Sequence, residues 1–453
     1  MKLLKKPLAR VLSLLMTLAL AAPMLSLPAS AAGTKTIRGS QFPTVFVHGM
    51  MGWGSYEPFS NVLDYWGATS GSMMDYLSGQ GYRVYSASTG ALSSAWDRSC
   101  ELYAQITGTR TDYGAAHAKK YGHERYGEDF TGRALIPNFH WSAKNKLNFV
   151  GHSFGVPTIR LLADLLKDGN AEEVSAAKQA GTKASPLFTG GKGGWIFSIT
   201  GLHGPNNGST YLDSAPVSTV GAFSLYGVWA YALGITNVTA IHNFRLEHFG
   251  ITVKDSEPFG SALLRILQDG SFYSHHDSCW ADMDIDRQVY RNKSIEMNPD
   301  IFYFSFYGNG VSSGALKTPD LTDFVVMQPY EVILGNYTGA TDGAFVDGYG
   351  AYQKTVRTPV QNLGEEWQPN DGMVNVLSAR VPFHRNASGK RVFDRYRTYK
   401  KGTKLSPGIW NVMPDDGYDH FGVIGGVLSE NAADTRAFYK NLMDLIYSCQ
   451  RTA

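Results

Sequence analysis

Apolar and polar positions along this chain follow two repeats, one typical of buried strands and one typical of helices. Short apolar runs bounded by turn-forming residues predict core strands. They occupy Thr44–Val47, Arg83–Ser86, Leu147–Val150, Trp195–Thr200 and Ile301–Phe306. Apolar residues at helical spacing separate some of these runs, as at Met73–Ser78 and Val156–Leu166. Strands that alternate with helices predict an α/β fold with a mostly parallel, doubly wound sheet.

One strand–turn–helix junction carries a motif with chemical meaning. The run Leu147–Val150 leads directly into Gly-His-Ser-Phe-Gly at 151–155, and a helical pattern follows. This is the G-x-S-x-G nucleophile elbow, in which a strained turn lifts the serine hydroxyl clear of the sheet. Gly151 and Gly155 are expected to let the strand and the helix pack closely. We therefore predict the α/β-hydrolase fold with Ser153 as nucleophile; the alternative is a Gly-rich turn with an idle serine.

A serine nucleophile needs an imidazole base and an acid that orients the base. On this fold the order along the chain is serine, then Asp or Glu, then histidine. Asp371 lies in an Asn-Asp-Gly turn before an apolar pair, and His420 precedes an apolar stretch late in the chain. We predict that they are the acid and the base. An ordinary turn is the alternative for Asp371, and Asp342, Asp347 and Asp416 remain rival acids that spacing does not exclude.

An oxyanion hole requires two backbone N–H groups, one after the nucleophile and one from an early loop. Phe154 supplies the first. The second is predicted at Met50, within the segment His-Gly-Met-Met-Gly-Trp-Gly at 48–54 that follows the first strand. A Gly-rich turn without a chemical role is the alternative for this segment.

The first 32 residues have the pattern of a secretory signal peptide. A basic start is followed by the apolar run Val11–Leu20 and by the small residues Ala29-Ser30-Ala31. The full chain carries 41 Lys and Arg against 39 Asp and Glu, and losing the four cations of this segment leaves about −2. No basic stripe predicts a nucleic-acid partner, and no other apolar stretch is long enough for a stable membrane anchor. The sequence carries no signal for oligomeric state.

The chain has three cysteines, Cys100, Cys279 and Cys449, too few for a fold held together by disulfides. Buried free thiols are predicted for them. A bridge between Cys100 and Cys279 is the alternative.

Five segments, at 48–54, 92–98, 112–117, 122–123 and 370–372, resemble one family. They are similar to the secreted, zinc-containing lipases of the thermoalkalophilic bacillary family, relatives of staphylococcal lipases. The similarity extends from about Pro43 to the C-terminus in the same order and nearly the same spacing. It implies carboxylic-ester hydrolysis by Ser153, Asp371 and His420, together with a mobile helical lid and a bound zinc ion.

The resemblance also implies where the zinc ligands lie. The family uses two Asp and two His, which fall on Asp97, His117, His123 and Asp277, with Asp282 and Asp284 as neighbours that could replace the last. Four such ligands close a tetrahedral shell, which is typical of a structural ion. The ion would tie the insertion at 97–140 to the segment near residue 277.

Three departures from the family stand out. The elbow has Gly151 where the family has Ala, and Phe154 where the family has Gln. The family also binds calcium through acidic residues after the catalytic histidine, and those positions are Gly422 and Val427 here. No calcium site of the family's type is therefore predicted.

The segment Pro216–Ile241 has no charged residue and places apolar side chains nearly all round a helical pattern. Such a helix is normally buried, but in a lipase it can be the lid over an apolar cleft. We predict a lid, with a buried helix as the alternative. Residues 33–453 are then one domain with two long insertions, at 97–140 and 205–295.

A secreted hydrolase of apolar esters such as acylglycerols, acting at a lipid or polymer interface, is the function predicted from these features. The alternative is a polyesterase or carboxylesterase for polymeric or short-chain esters, because the chain also resembles clostridial-type enzymes that act on synthetic polyesters. A serine peptidase or amidase is a weaker alternative, because the sequence shows no charged feature that would select a peptide or amide substrate. A non-catalytic binding protein would have no need of the intact set Ser153, Asp371 and His420.

Overall fold

The computed structural model describes residues 42–211, 244–250, 275–324, 327–337, 364–426 and 431–452. Four of the sequence predictions lie outside these residues. They are the signal peptide at 1–32, the lid at Pro216–Ile241, the rival acids Asp342 and Asp347, and the position of Val427.

Eleven strands are described, and seven of them form a central parallel sheet. In chain order the strands are β1 Thr44–Val47, β2 Val84–Ala87, β3 Arg110–Asp112, β4 Tyr126–Asp129, β5 Leu147–His152, β6 Ile196–Leu202, β7 Phe302–Phe306, β8 Phe383–Arg385, β9 Arg391–Phe393, β10 Tyr396–Thr398 and β11 Trp410–Val412. The order across the sheet is β10-β11-β7-β6-β5-β1-β2, while β3 with β4 and β8 with β9 make separate antiparallel pairs.

Ten α-helices are described, and several cover the two faces of this sheet. They are α1 Met73–Gly79, α2 Ala95–Thr107, α3 Ala115–Tyr121, α4 Gly155–Asp168, α5 Ala171–Gln179, α6 Cys279–Asp282, α7 Ile285–Arg291, α8 Gln328–Gly335, α9 Val376–Arg380 and α10 Ala432–Thr452. Within the described ranges no helix has the length and apolar character needed to cross a bilayer.

Both faces of the sheet are buried, which explains the continuous apolar runs in the sequence. On β5, Phe149 packs into the core on the side of α2 and α4, while Val150 packs on the side of α1 and α10. On β1 the neighbours Val45 and Phe46 divide between the same two cores. Successive side chains of a strand point to opposite faces, so a strand covered on both faces must be apolar throughout.

The predicted α/β fold with a parallel sheet is confirmed. All five predicted strands are present, as β1, β2, β5, β6 and β7, with ends shifted by no more than two residues, and the two predicted helices are present as α1 and α4. The three cysteines are buried and free, as predicted.

Parallel strands bring the segments that follow β1, β5 and β6 to one edge of the sheet. Val47 pairs in register with Gly151, and Leu202 pairs with His152. The next residues along the three strands therefore meet at the carboxyl edge, where open α/β sheets place their functional groups.

Candidate active site

The nucleophile elbow lies at the carboxyl end of the central strand β5. Ser153 directly follows β5 and has a φ of +52°, a left-handed conformation that costs free energy for a residue with a Cβ atom. A Cβ atom at Gly155 would lie 2.2 Å from the carbonyl oxygen of Val47, and one at Gly151 would lie 2.7 Å from Ile159. The two glycines therefore allow α4 to approach β1 and β5 closely, as the sequence predicted.

Ser153, His420 and Asp371 form a continuous hydrogen-bonded row. His420 Nε2 lies 2.9 Å from Ser153 Oγ, and His420 Nδ1 lies 2.9 Å from Asp371 Oδ2. Because a carboxylate can only accept, Nδ1 carries the ring proton, and Nε2 faces the serine hydroxyl as an acceptor. All three side chains are buried. The structure thus brings together the three residues selected from the sequence, in the geometry that activates a serine.

Asp371 is held in place by four donors. Its Oδ1 accepts the N–H groups of Met373 and Val374, and its Oδ2 accepts from the rings of His420 and His203. Burial alone would raise the pKa of Asp371. The charge of His420 and the hydrogen bonds from both rings outweigh burial and hold this pKa well below its usual range. The acid is therefore ionised at neutral pH.

His203 is a residue of the site that sequence reasoning missed. It directly follows β6, and its Nδ1 lies 2.7 Å from Asp371 Oδ2. Its Nε2 lies 3.1 Å from Asp416, so this rival acid contacts His203, and Asp371 contacts the base. The signal that could have found His203 is its place at the carboxyl end of a predicted core strand, beside the elbow strand.

The turn after β1 brings Met50 to the wall of the pocket that contains the serine. The amides on both sides of Met50 are hydrogen-bonded elsewhere. The Gly49 N–H donates to the Tyr65 hydroxyl at 2.9 Å, and the Met51 N–H donates to the Ala91 carbonyl at 2.7 Å. Both neighbouring amides are thus engaged away from the serine, and the Met50 N–H stays the predicted second donor of the oxyanion hole.

A buried arginine links the two segments predicted to form the oxyanion hole. The Arg98 guanidinium donates to the carbonyls of His48, Gly49 and Gly90. It also lies over the ring of Phe154, 5.3 Å from its centroid. A rigid five-donor group can hold several carbonyls at once, so Arg98 fixes the turn after β1 against the residue that follows the nucleophile.

A second histidine joins the elbow to the loop of the base. His152 Nε2 lies 2.9 Å from the carbonyl of His420 and donates to it. Its Nδ1 accepts from the Tyr65 hydroxyl at 2.6 Å, and that hydroxyl accepts from the Gly49 N–H. Burial, followed by the charges of His420 and His203, lowers the pKa of His152 well below its usual value. His152 is therefore neutral, as its two partners require.

Replacing Tyr65 with phenylalanine is expected to lower the free energy of unfolding by about 2 kcal/mol. The ring stays, but the Gly49 N–H and the His152 Nδ1 are left buried without their partner. A denaturant titration measures the change. Tyr396→Phe is the control because that side chain is 47% exposed. Equal stability of the Tyr65 and Tyr396 variants would show that the Tyr65 hydroxyl contributes nothing.

A second group of ligand-type side chains lies elsewhere in the molecule. The ligand atoms of Asp97, His117, His123 and Asp277 all lie within 4.8 Å of one another. The four distances between an imidazole Nε2 and a carboxylate oxygen in this group are 2.9, 3.2, 3.3 and 3.9 Å. A tetrahedral site with bonds of about 2.0–2.1 Å has edges of about 3.3 Å. The four side chains can therefore enclose one metal ion.

Two atoms of this group also lack an ordinary partner. Asp97 Oδ1 and His123 Nε2 are buried and, among the residues described, have no hydrogen-bond partner. A buried polar atom without a partner costs about 1–3 kcal/mol. An ion between the four side chains would satisfy both atoms, so the residues present fit a metal.

The acidic neighbours of Asp277 have other roles. Asp282 accepts from the Ala95 N–H and pairs with Arg287 and Arg291. Asp284 caps the N-terminus of α7. Of the three acids considered from the sequence, Asp277 is the one that reaches the two imidazoles.

His248 is a further neighbour of the metal-ligand group that sequence reasoning missed. Its Nδ1 lies 2.8 Å from Asp97 Oδ2, and its ring stacks on His123 with centroids 4.4 Å apart. The partner of a ligand fixes the orientation of that ligand. No local signal could have found this contact, because 151 residues separate His248 from Asp97.

The pocket beside Ser153 is largely apolar. Besides the elbow and the base, its lining includes Met50, Tyr211, Met283, Met373, Val374 and Phe421. Of the residues described, the four side chains of the metal-ligand group do not line it. The pocket and the metal-ligand group are therefore separate sites.

Comparison with known proteins agrees with this geometry. A family profile described as "Lipase-like, C-terminal domain" matches residues 40–344. Lipase 2 of Staphylococcus aureus is 32% identical over 389 residues, which are 85% of this chain and 50% of that lipase. The chain thus spans about half the length of this relative.

Solved structures are similar over nearly the whole chain. The lipase of Staphylococcus hyicus has a TM-score of 0.68 and 28% identity, covering 94% of this chain and 99% of its own. EstA from Clostridium botulinum has a TM-score of 0.71 and 28% identity, covering 92% and 91%. The sheet and helices described above are therefore of the α/β-hydrolase type.

Proposed function

Because this chain belongs to the lipase-like, C-terminal domain family, we propose that it is a serine carboxylic-ester hydrolase of the lipase type. The observation that carries the proposal is the row from Ser153 through His420 to Asp371, placed on a strained elbow. A protein that only binds its ligand would have little need of these three residues in this arrangement.

The reaction follows from the positions of these atoms. Ser153 Oγ attacks the ester carbonyl carbon while its proton passes to His420 Nε2. The N–H groups of Met50 and Phe154 stabilise the negative charge that develops on the carbonyl oxygen. The alcohol leaves with the proton from His420, and an acyl group remains on the serine. Water then attacks this acyl-enzyme, with His420 again taking a proton and returning it as the acid is released.

The apolar lining of the pocket supports esters with apolar acyl groups, such as acylglycerols, as substrates. Polymeric or short-chain esters are the second candidate, which the likeness to EstA supports. The predicted lid at Pro216–Ile241 would cover this pocket and open at a lipid or polymer interface.

Active-site labelling and hydrolysis assays test the proposed class and substrate. A fluorophosphonate probe is expected to label the wild type at Ser153 and to fail with Ser153→Ala, and a series of p-nitrophenyl esters is expected to be hydrolysed with rates that depend on acyl length. A panel of triacylglycerol emulsion, soluble short-chain ester and polyester film then separates lipase from esterase and polyesterase. Strong hydrolysis of an anilide without hydrolysis of any ester would favour the peptidase alternative and overturn the proposal.

We also propose that Asp97, His117, His123 and Asp277 hold a structural zinc ion. Two imidazoles and two carboxylates suit zinc, and four protein ligands leave no open position for a reacting water. Calcium prefers six to eight oxygen ligands, which this group does not offer. The separation of the group from the pocket supports a role in stability.

Secretion after removal of residues 1–32 is part of the same proposal, because the segment has the order of a signal peptide. The intact mass of the protein recovered from a culture medium tests it. A mass that includes the first 32 residues would contradict it.

A further inference from the structure

His203 joins two carboxylates at the back of the active site. Its Nδ1 lies 2.7 Å from Asp371 Oδ2, and its Nε2 lies 3.1 and 3.2 Å from the two carboxylate oxygens of Asp416. The imidazole itself is fully buried. Neither the elbow motif nor the order of serine, acid and histidine assigns a role to this residue.

The contacts of His203 determine its protonation state. A neutral imidazole has one N–H donor and one acceptor nitrogen, whereas an ionised carboxylate only accepts. Since both nitrogens face carboxylates, both must carry hydrogen, and the ring must be an imidazolium. Burial would lower the pKa of His203, but the charge of Asp416 and the hydrogen bonds to Asp371 and Asp416 outweigh it and raise this pKa to about 10.

Two rings therefore share one oxygen. Asp371 Oδ2 accepts from His203 Nδ1 and from His420 Nδ1, and the two ring centroids are 6.2 Å apart. In the proposed reaction His420 becomes positively charged when it takes the serine proton. A permanent cation on the other side of the same carboxylate opposes protonation of the base, since like charges at this distance repel.

We propose that His203 is a positioning residue that holds Asp371 against His420 and, as a buried cation, keeps the base unprotonated to lower pH. The inference rests on the proposed ester hydrolysis, because it concerns the base of that reaction. Asp416 stabilises the charged ring by pairing with its other nitrogen, Nε2.

The sign of the effect depends on every titratable group around His203. On the elbow side is His152, whose pKa is lowered well below its usual value by burial first and then by the charges of His420 and His203. On the opposite side burial raises the pKa of Asp415. Among the residues that the structure describes, the titratable groups that interact with the ring are Asp371, Asp415, Asp416, His152 and His420. Removing the imidazolium leaves the carboxylates in excess, so the base would then take up a proton more readily.

His203→Asn tests the inference with the least disturbance. His203 has a φ of +52°, and asparagine is one of the few residues that tolerate this conformation. Its amide can still donate toward Asp371 but carries no charge. The acidic limb of the pH profile of kcat/KM for a p-nitrophenyl ester is expected to move up by about one pH unit. The plateau rate is expected to change by less than about tenfold, because the donor to Asp371 is kept.

His140→Asn is the matched control, because His140 is an exposed histidine away from this cluster. Its profile is expected to coincide with that of the wild type. If the role of His203 were merely structural, the substitution would lower kcat/KM equally at all pH values and leave the acidic limb in place. An acidic limb that stays in place or moves to lower pH in folded His203→Asn would overturn the inference.

A measurement on the wild type covers the case in which the variant does not fold. In protein labelled with [15N]histidine, the two nitrogens of His203 are expected to give an imidazolium spectrum at pH 8. A neutral ring at that pH overturns the inference without bearing on the enzyme class. Absence of ester hydrolysis by the wild type instead overturns the proposed function, so the two failures are distinguishable.

Discussion

Replacing Ser153 with alanine is expected to lower kcat for ester hydrolysis by about 10⁴- to 10⁶-fold. The substitution removes one oxygen atom, the one that lies 2.9 Å from His420 Nε2. Without it no acyl-enzyme forms, and the remaining rate comes from attack by water aided by the oxyanion donors. Initial rates with a p-nitrophenyl ester, taken at matched concentrations of folded protein, measure the change.

Ser198→Ala is the matched control for this prediction. Ser198 is also a buried serine, on the neighbouring strand β6, but its hydroxyl donates to Asn148 at 2.8 Å and faces no imidazole. Its loss is expected to cost about 1 kcal/mol of stability and to leave turnover within a few-fold of wild type. A folded Ser153→Ala protein that keeps more than about a hundredth of the wild-type rate would contradict the mechanism.

The elbow and the strands around it could be predicted because their information is local. In the segment 147–168 an apolar run, a glycine-flanked turn and a helical repeat follow one another without interruption. Burial on both faces of β5 makes the apolar run continuous, which is why the strand was visible. The outer strands β10 and β11 have three residues each, too few to show a repeat, and they were not predicted.

The acid and the base were chosen from the order of residues that the fold imposes and from the family resemblance. His420 meets Ser153 across 267 residues and Asp371 across 49, and no local pattern encodes either contact. Chain order allowed Asp342, Asp347 and Asp416 as well as Asp371, and Asp416 is the one of these rivals that lies in the described residues. The structure distinguishes Asp416 from Asp371 because Asp416 contacts His203 while Asp371 contacts the base.

The contacts of the supporting residues were not predicted from the sequence. Tyr65 reaches His152 across 87 residues, and His203 reaches Asp371 across 168. Both contacts depend on which strands are neighbours in the sheet. Strand order follows from how the crossovers pack, which the apolar pattern of single strands does not specify.

Zinc analysis of protein purified without chelator is expected to find about one ion per chain, by analogy with closed structural sites. Removing the ion leaves Asp97 and Asp277 buried together, and of the described residues only neighbouring histidines such as His117 and His248 can then offset their charges. Removing one partner from a set of buried charges costs about 3–5 kcal/mol, which for a chain of this size lowers the melting temperature by roughly 5 °C. A calorimetric scan with and without chelator measures the loss, and adding zinc back is expected to reverse it.

The same prediction can be tested at one ligand with His123→Ala. The Nε2 atom of His123 is buried 3.3 Å from Asp277 Oδ2 and makes no hydrogen bond in the described chain. The variant is expected to lose the ion and to melt roughly 5 °C lower, because three ligands do not close the shell. Ester turnover well below the melting temperature is expected to change little, because the metal-ligand group does not line the pocket. His140→Ala, an exposed histidine of the same insertion, is expected to keep both zinc and stability. Full zinc content in His123→Ala would contradict the prediction, because other ligands would then hold the ion. A kcat that falls in proportion to the zinc lost would also contradict it, because the ion would then act in the reaction.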